Sequence, residues 1–409
     1  MLTLEPALIG SAGTGRLGLA LAGGGPLGAF YELGALHALS ESLVGRALTD
    51  FDVYVGVSSG SLVAAGLANG FDTTSMGTTF ILDEGTLVPF APELLLQPAI
   101  GEYAERLARL PAALTRALRQ YARAPLNGAW PPLLRSLARL APTAAFDNEP
   151  LRSYLHELFS TAGHTDDFRK LRRQLYVVAT RLSTGESVAF GDPRHDRVPI
   201  STAVVASTAL PGLYAAVEIG GHHYVDGALL RTMHASLALD RGCDLVVCVN
   251  PLVPFDSSHA KARRYRNFVE EGLPTILSQT FRSMIRSRMQ VGMATYRERF
   301  PRSDTILLEP DRHDETLFFT NVFRYSGRRK LVEHAYQQTR RDLVAQAPEL
   351  ARVLRRRNLE LNTDILRQRG RTFASAARER AKSARRVVRS LQKALTRLDA
   401  LVQHELHGR

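Results

Sequence analysis

The first seventy residues alternate short apolar runs with glycine-rich breaks. Leu17-Gly-Leu-Ala-Leu-Ala22 is a compact apolar run ending at Gly23-Gly24-Gly25, which reads as a buried strand leaving into a turn. Ala29, Leu33, Leu36 and Leu39 then recur at near-helical spacing up to Gly45. A second strand, Asp52-Val-Tyr-Val-Gly-Val57, runs into Ser58-Ser59-Gly60. A small-residue helix from Ser61 to Ala68 follows and stops at Asn69-Gly70. Strand, glycine turn, helix, strand, serine turn, helix is the opening of a parallel α/β sheet.

Between residues 75 and 150 the pattern breaks up. Nine prolines divide this stretch, and seven arginines lie between Arg106 and Phe146 with no acid among them. Leu107, Leu110, Leu114 and Leu118 mark one helical face, interrupted at Pro111. The stretch predicts a helical cap insertion. It is either a surface helix pair packed on the core, or a cap whose arginines meet anionic headgroups while its leucines line an acyl path. Regular order resumes with strands at Leu175–Thr180, Val188–Phe190, Tyr224–Asp226, Leu245–Val249 and Thr305–Leu308, a helical segment at Val269–Tyr296, and a helix from Arg328 to about Ala345. The organisation expected is one α/β domain over residues 1–350, carrying the cap at 75–150, and a basic amphipathic helical tail over 351–409.

Charge sharpens that boundary. The formal net charge is +12, and residues 351–409 hold 16 Lys/Arg against 5 Asp/Glu, leaving 36 against 35 for the rest. The basic character belongs to the tail. Val388, Leu391, Leu395, Leu398 and Val402 form a seam in it, ringed by Arg385, Arg386, Arg389, Lys393 and Arg397. The seam suits docking on the body or on a second copy as a homo-oligomer, and the basic ring suits an anionic membrane surface. No nucleic-acid module accompanies the charge, so nucleic acid is not expected as a partner.

With 45% hydrophobic and 22% charged residues the chain is globular. Cys243 and Cys248 would point to opposite faces of one strand, which predicts core thiols and not a bridge. The start of the chain lacks a basic leader, and no apolar stretch has transmembrane length. A cytoplasmic protein, with peripheral membrane contact if the tail binds lipid, is expected. No H-E-x-x-H, zinc-spaced Cys/His cluster or EF-hand loop is present, so neither a metal nor a cofactor is expected.

Gly56-Val57-Ser58-Ser59-Gly60 fits G-x-S-x-G. In that motif a sharp strand-to-helix turn exposes a serine hydroxyl, and small residues two positions away let strand and helix pass closely. The alternative is a Ser58 that merely caps the following helix. Gly23-Gly-Gly-Pro-Leu-Gly28 also fits G-x-G-x-x-G, raising a dinucleotide fold. Such a fold wants an acid at the C-terminal end of the second strand, whereas Asp50 and Asp52 stand at its start. The glycine loop and Ser58 instead share one sheet edge, where loop N–H groups can face an oxyanion. A serine also needs a proton acceptor. Asp226 followed by His234 is in the right order for a triad, with His195, His222, His223 and His259 as further choices. Asp226-Gly227-Ala228 ends a strand and opens a small-residue turn, but Asp-Gly is also a common turn.

Gly23–Gly28, Gly56–Gly60 and Asp226–Ala228, in that order, resemble the patatin-like phospholipase family. Val204-Val-Ala-Ser-Thr-Ala-Leu-Pro-Gly-Leu-Tyr214, Phe146–Leu151 and Val178–Thr180 are similar to its segments too, so the resemblance covers roughly residues 15–345. It implies a three-layer α/β/α fold with a mainly parallel central sheet. It also implies a Ser58–Asp226 dyad without histidine and a lipid or phospholipid ester as substrate. The family usually carries Arg or Lys before the last glycine of its first motif; here Leu27 follows Pro26, which has no N–H to donate. That leaves Gly24, Gly25 and Ser59 as the oxyanion donors. Two other readings stand beside a lipid acyl hydrolase: an ordinary α/β-hydrolase with a histidine triad, and a catalytically silent lipid- or partner-binding protein on the same fold.

Overall fold

The computed structural model describes residues 1–409 except 11–12, 14, 86, 109, 113–114, 116–141, 231–232, 260–269, 271, 315–317, 319–326 and 408–409. Its strands are β1 (Leu2–Glu5), β2 (Leu17–Leu21), β3 (Leu43–Val44), β4 (Val53–Val57), β5 (Gln174–Arg181), β6 (Glu186–Phe190), β7 (Val217–Ile219), β8 (His222–Asp226), β9 (Leu245–Val249), β10 (Asp304–Leu308) and β11 (Glu360–Leu361). The main sheet runs β1-β10-β9-β2-β4-β5-β8-β7, with β6 also on β5, while β11 and β3 pair separately. Its centre, from β10 to β5, is parallel, and β1, β6, β7 and β8 are antiparallel additions at its flanks.

The helices are α1 (Gly25–Ser42), α2 (Ser59–Ala68), α3 (Thr73–Phe80), α4 (Ile100–Ala108), α5 (Glu149–Phe159), α6 (Ile200–Thr208), α7 (Ser236–Asp240), α8 (Leu273–Arg299), α9 (Arg328–Ala345), α10 (Ala347–Arg355), α11 (Thr363–Arg367) and α12 (Phe373–His407). Period-2 alternation in the buried strands splits the core between the two faces of the sheet. Leu17, Leu19 and Leu21 of β2 join α1, α2, α6 and α9 on one face. Ala20 and Ala22, with Val53, Val55 and Val57, join α7 and the methionines of α8 on the other. The result is three layers, α/β/α, with a mainly parallel sheet in the middle.

Cys243 and Cys248 are buried free thiols, as expected, but they do not face apart. Cys243 precedes β9 and escapes its alternation, so both side chains lie in the second core. Burial pushes the Cys243 thiol up to about 12, which makes it unreactive.

Of the expected cap, α3 belongs to the body, with Asp72 capping it and Met76 buried, whereas α4 stands at the surface with Leu107 67% exposed. Leu114 and Leu118, and every arginine of the run except Arg106, lie outside the described residues.

The change of charge at residue 351 does not coincide with an end of packing. Val353, Leu354, Leu359, Leu366, Phe373, Ala376 and Ala377 are all in the main core. Arg357, following α10, is buried between Asp244 at 2.9 Å and Asp304 at 2.7 Å. Arginines counted as a solvated tail are therefore partly internal ties. Beyond Ala381, α12 leaves the body: Val387, Val388 and Leu395 are 64%, 53% and 52% exposed. Leu391, Leu398 and Val402 of the expected seam have side chains outside the described residues. Among the described residues no helix is long and apolar enough to cross a membrane.

Candidate active site

Ser58 stands between β4 and α2 with φ 51° and ψ −128°, a conformation that costs an L-residue energy. The flanking glycines are what allow it. A Cβ on Gly56 would lie 2.4 Å from the Ser61 Cα, and one on Gly60 2.5 Å from the Leu21 carbonyl oxygen. Strand and helix can pass at this distance only without side chains there. The turn is then clasped on both sides. The Ser58 N–H donates to Ser207 Oγ at 2.8 Å, and the Ser58 carbonyl accepts from the Ser61 N–H and hydroxyl at 2.8 and 2.6 Å. Ser207, from α6, donates in turn to the Val178 carbonyl at 2.5 Å. It lies inside the segment singled out before the aspartate. Its own role left no mark, because a serine in a small-residue helix has no distinguishing spacing.

Sheet register brings Asp226 to Ser58. Val57 pairs with Val178 on β5, and the next β5 residue, Ala179, pairs with Asp226 on antiparallel β8. The two side chains meet across β5: Ser58 Oγ donates to Asp226 Oδ2 at 2.6 Å. Asp226 Oδ1 accepts the Ala228 N–H at 2.8 Å, its own N–H bonds the Ala209 carbonyl, and its carbonyl accepts Thr180 Oγ1. Gly227 is required for close approach, since a Cβ there would lie 2.2 Å from the Val178 carbonyl oxygen. Asp226 is 4% exposed, and burial raises its pKa to about 6 against the lowering effect of the two hydrogen bonds it accepts. It stays ionised at neutral pH yet is far more basic than an ordinary aspartate.

No histidine hydrogen-bonds either side chain among the described residues. His222 and His223 are exposed, His195 stacks edge-on against Phe190, and buried His234 lines a separate recess with Met289 and Tyr296. The side chain of His259 lies outside the described residues. Among the described residues no three His, Cys, Asp or Glu converge as metal ligands.

The glycine loop adjoins the serine. A Cβ on Gly23 would sit 3.0 Å from the Ser58 Cβ and 2.9 Å from the Ala228 Cβ. Gly24 is crowded by Pro251, and Gly28 backs onto Ser59 Oγ, 2.9 Å from where its Cβ would be. Gly25 takes φ 61° to open α1. Neither α1 nor α2 has a side-chain cap; the Ser61 N–H is taken by the Ser58 carbonyl and Pro26 has none, while the N–H groups of Gly25 and Ser59 stand at the helix starts, where no intrahelical carbonyl reaches them. Two helix N-termini, each with positive dipole character, thus flank Ser58. Leu27, where the resemblance leads one to expect a cation, is buried in the main core.

Behind the loop lies an apolar cavity of about 110 Å³. Pro26, Phe30 and Leu33 of α1 and Leu62 and Val63 of α2 form one wall, and Leu151, Leu155 and Leu158 of α5 part of the other. The one hydroxyl there among the described residues, Tyr154, is turned to the Val88 carbonyl. The leucines of α5 carry ordinary amphipathic spacing, which cannot distinguish a cavity wall from core.

The patatin-like phospholipase family model matches residues 19–239, more than half of the chain. Among solved structures, VipD from Legionella pneumophila is 17% identical with a TM-score of 0.29, covering 60% of this chain and 52% of that one. The type III effector ExoU is 16% identical with a TM-score of 0.27, covering 90% and 71%. The ExoU–SpcU complex of the Pseudomonas aeruginosa type III secretion system gives 18%, 0.25, 86% and 63%. The chain spans about half the length of the VipD chain. With the family match covering the glycine loop, Ser58 and Asp226 together, the chain belongs to the patatin-like phospholipase family.

Proposed function

We propose that the chain is a serine-dependent acyl hydrolase of lipid esters, phospholipase A-like or a related esterase. Ser58 is its nucleophile, Asp226 its base, and N–H groups of Gly24, Gly25 and Ser59 its oxyanion donors. The observation that carries this reading is the 2.6 Å hydrogen bond from a strained Ser58 to a buried aspartate of raised basicity. Asp226 Oδ2 takes the hydroxyl proton as Ser58 Oγ attacks the ester carbonyl carbon. The tetrahedral oxyanion is held by N–H groups at the two helix N-termini. Collapse expels the alcohol, which takes the proton from Asp226 and leaves an acyl-Ser58 ester. Water, deprotonated by Asp226, attacks that ester. Ser58 departs with the proton returned, and the carboxylic acid is released. The apolar cavity beside α1 and α2 suits an acyl chain and supports a lipid over a small polar ester.

From the stretch 75–150, Phe80, Leu87, Phe90 and Leu95 line that cavity, and the exposed part of α12 is the membrane element. Its exposed Val387, Val388 and Leu395 lie among Arg385, Arg386, Arg389 and Lys393, a combination suited to an anionic leaflet. The protein then works as a cytoplasmic enzyme at a membrane surface.

A second reading, a silent lipid- or partner-binding protein, is favoured by Leu27, which leaves the loop without its usual cation. Labelling by a fluorophosphonate probe separates the readings in wild type, Ser58→Ala, Asp226→Asn and each His→Ala. Loss in Ser58→Ala and Asp226→Asn alone is expected. Labelling that survives Ser58→Ala sinks the nucleophile, dependence on one histidine sinks the dyad, and no labelling or ester turnover at all favours the silent fold. Truncation after Lys382 should weaken sedimentation with anionic vesicles. A change of sedimentation coefficient with unchanged vesicle binding would instead make α12 an oligomer contact.

A further inference from the structure

At the far end of α1 from the glycine loop lies a recess of about 520 Å³ between the C-terminal half of α9 and the segment joining α11 to α12. Five arginines line it, Arg340, Arg341, Arg367, Arg369 and Arg371, and among the described residues no Asp or Glu does. Two of the five are committed to structure. Arg371 is paired with Glu41 at 2.8 Å and Glu379 at 2.7 Å. Arg340, 4% exposed, gathers the carbonyls of Ile365, Leu366, Gln368 and Arg371 at 2.8–3.1 Å. Its Nε is buried without a partner among the described residues.

That carbonyl cage shapes the loop Arg367-Gln-Arg-Gly-Arg-Thr372. Gly370 provides the left-handed turn at φ 73°, and its Cβ position meets nothing within 4 Å. Arg341, Arg367 and Arg369 are exposed and carry no ion pair among the described residues. Three guanidinium forks therefore line a concave surface beside which Glu41, Glu379 and Glu333 are already engaged and Asp364, one turn before Arg367, stands exposed. Like charges gathered there repel one another, and the loop is held in place by the buried Arg340 and by Arg371 on Glu41, Glu379 and Gln368.

We infer that this recess is a binding site for a phosphoryl anion, a phosphomonoester or polyphosphate, held by Arg341, Arg367 and Arg369. The planar fork of arginine matches phosphate oxygens in bidentate geometry. A phosphoryl group has three terminal oxygens and up to two negative charges, so it offers separate bidentate edges and more charge to neighbouring forks than a single carboxylate does. The recess is about 25 Å from the glycine loop, as α1 has 18 residues at about 1.5 Å each and Glu41 stands at its other end. It is thus separate from the acyl site and independent of whether Ser58 is a nucleophile.

The test is calorimetric titration of the full chain with inorganic tripolyphosphate. The variants are the double variant Arg367→Gln/Arg369→Gln, the single variant Arg341→Gln on a different element, and a control of equal charge change, Arg172→Gln/Arg194→Gln, at exposed positions elsewhere. Saturable 1:1 binding by wild type is expected. It should weaken about tenfold or more in the loop variant and measurably in Arg341→Gln, and remain within twofold in the control. No saturable binding by wild type, or equal weakening in loop variant and control, overturns the site, since either result leaves only diffuse attraction to a basic protein. Sedimentation with phosphatidylcholine vesicles, with and without phosphatidic acid, then assigns the source. A phosphatidic-acid-dependent gain that the loop variant loses makes the ligand a lipid headgroup. A gain equal in both proteins, with tripolyphosphate binding lost in the loop variant, makes it a free phosphate compound.

Discussion

Replacing Asp226 by Asn should stabilise the fold while abolishing activity. Burial raises the Asp226 pKa from the ordinary 3.8 to about 6. Each tenfold change in proton affinity is worth about 1.4 kcal/mol, so above pH 6 the ionised carboxylate costs the folded state about 3 kcal/mol. The folded state binds this proton more tightly than the unfolded chain. Its contribution to stability is therefore fully present below about pH 4 and is lost as pH rises through about 6. Asparagine keeps the shape: its oxygen accepts the Ala228 N–H in place of Oδ1, and its amide donates to Ser58 Oγ. The measurement is urea unfolding followed by circular dichroism at pH 4.5, 6 and 8 in both proteins. Other buried acids titrate alike in the two, so the difference isolates Asp226. The gap should be small at the lowest pH and approach about 3 kcal/mol at the highest. Parallel profiles would show that Asp226 is not held at raised basicity and would remove the physical basis for calling it the base. Wild-type ester turnover should rise through the same window, because only the ionised form accepts the Ser58 proton.

Three further outcomes follow from buried groups. Ser207→Ala leaves the Ser58 N–H without its acceptor, so it should lower stability by about 1–3 kcal/mol and reduce kcat more than it raises KM; unchanged kcat would mean the elbow holds itself. Arg357→Ala removes the buried guanidinium that bridges Asp244 and Asp304, leaving Asp304 only the longer contact to Arg356 at 3.6 Å, and should cost about 3–5 kcal/mol in denaturant titration; a loss under 1 kcal/mol would show these acids to be rehydrated. Glu32 on α1 is fully buried with both carboxylate oxygens unpartnered among the described residues, and burial raises its pKa well above the ordinary range. Glu32→Met should therefore stabilise the protein, increasingly as pH rises above the ordinary carboxylate pKa, and a destabilised variant at pH 8 would reveal a partner for that carboxyl.

The central strands and the serine turn were legible because their signals are local. Apolar runs ending in glycine mark buried parallel strands, and Gly56 and Gly60 are imposed by contacts within a few residues of Ser58 or on the neighbouring strand. Asp226 was less legible, because its nearness to Ser58 is created by the pairing of β8 with β5, which no local pattern encodes. β1 was missed: four residues of mixed polarity at a sheet edge make no distinctive run. The boundary at 351 followed charge, and charge misleads where arginines are internal. Arg357 and Arg371 satisfy themselves on carboxylates and carbonyls inside the fold, so the stretch read as a basic amphipathic tail continues into the core as far as Ala377.

The chain of contacts from Val178 through Ser207 to the Ser58 amide makes that single proton a gauge of the serine turn. Hydrogen exchange at Ser58 requires Ser207 to let go, and Ser207 moves only with α6. A subglobal opening of that helix would expose the amide and relax the strained backbone while the rest of the sheet stayed closed. If Ser58 is the nucleophile proposed above, heat inactivation would then begin at a lower temperature than unfolding, and the spacing between the two would measure how firmly one helix holds Ser58 in its strained turn.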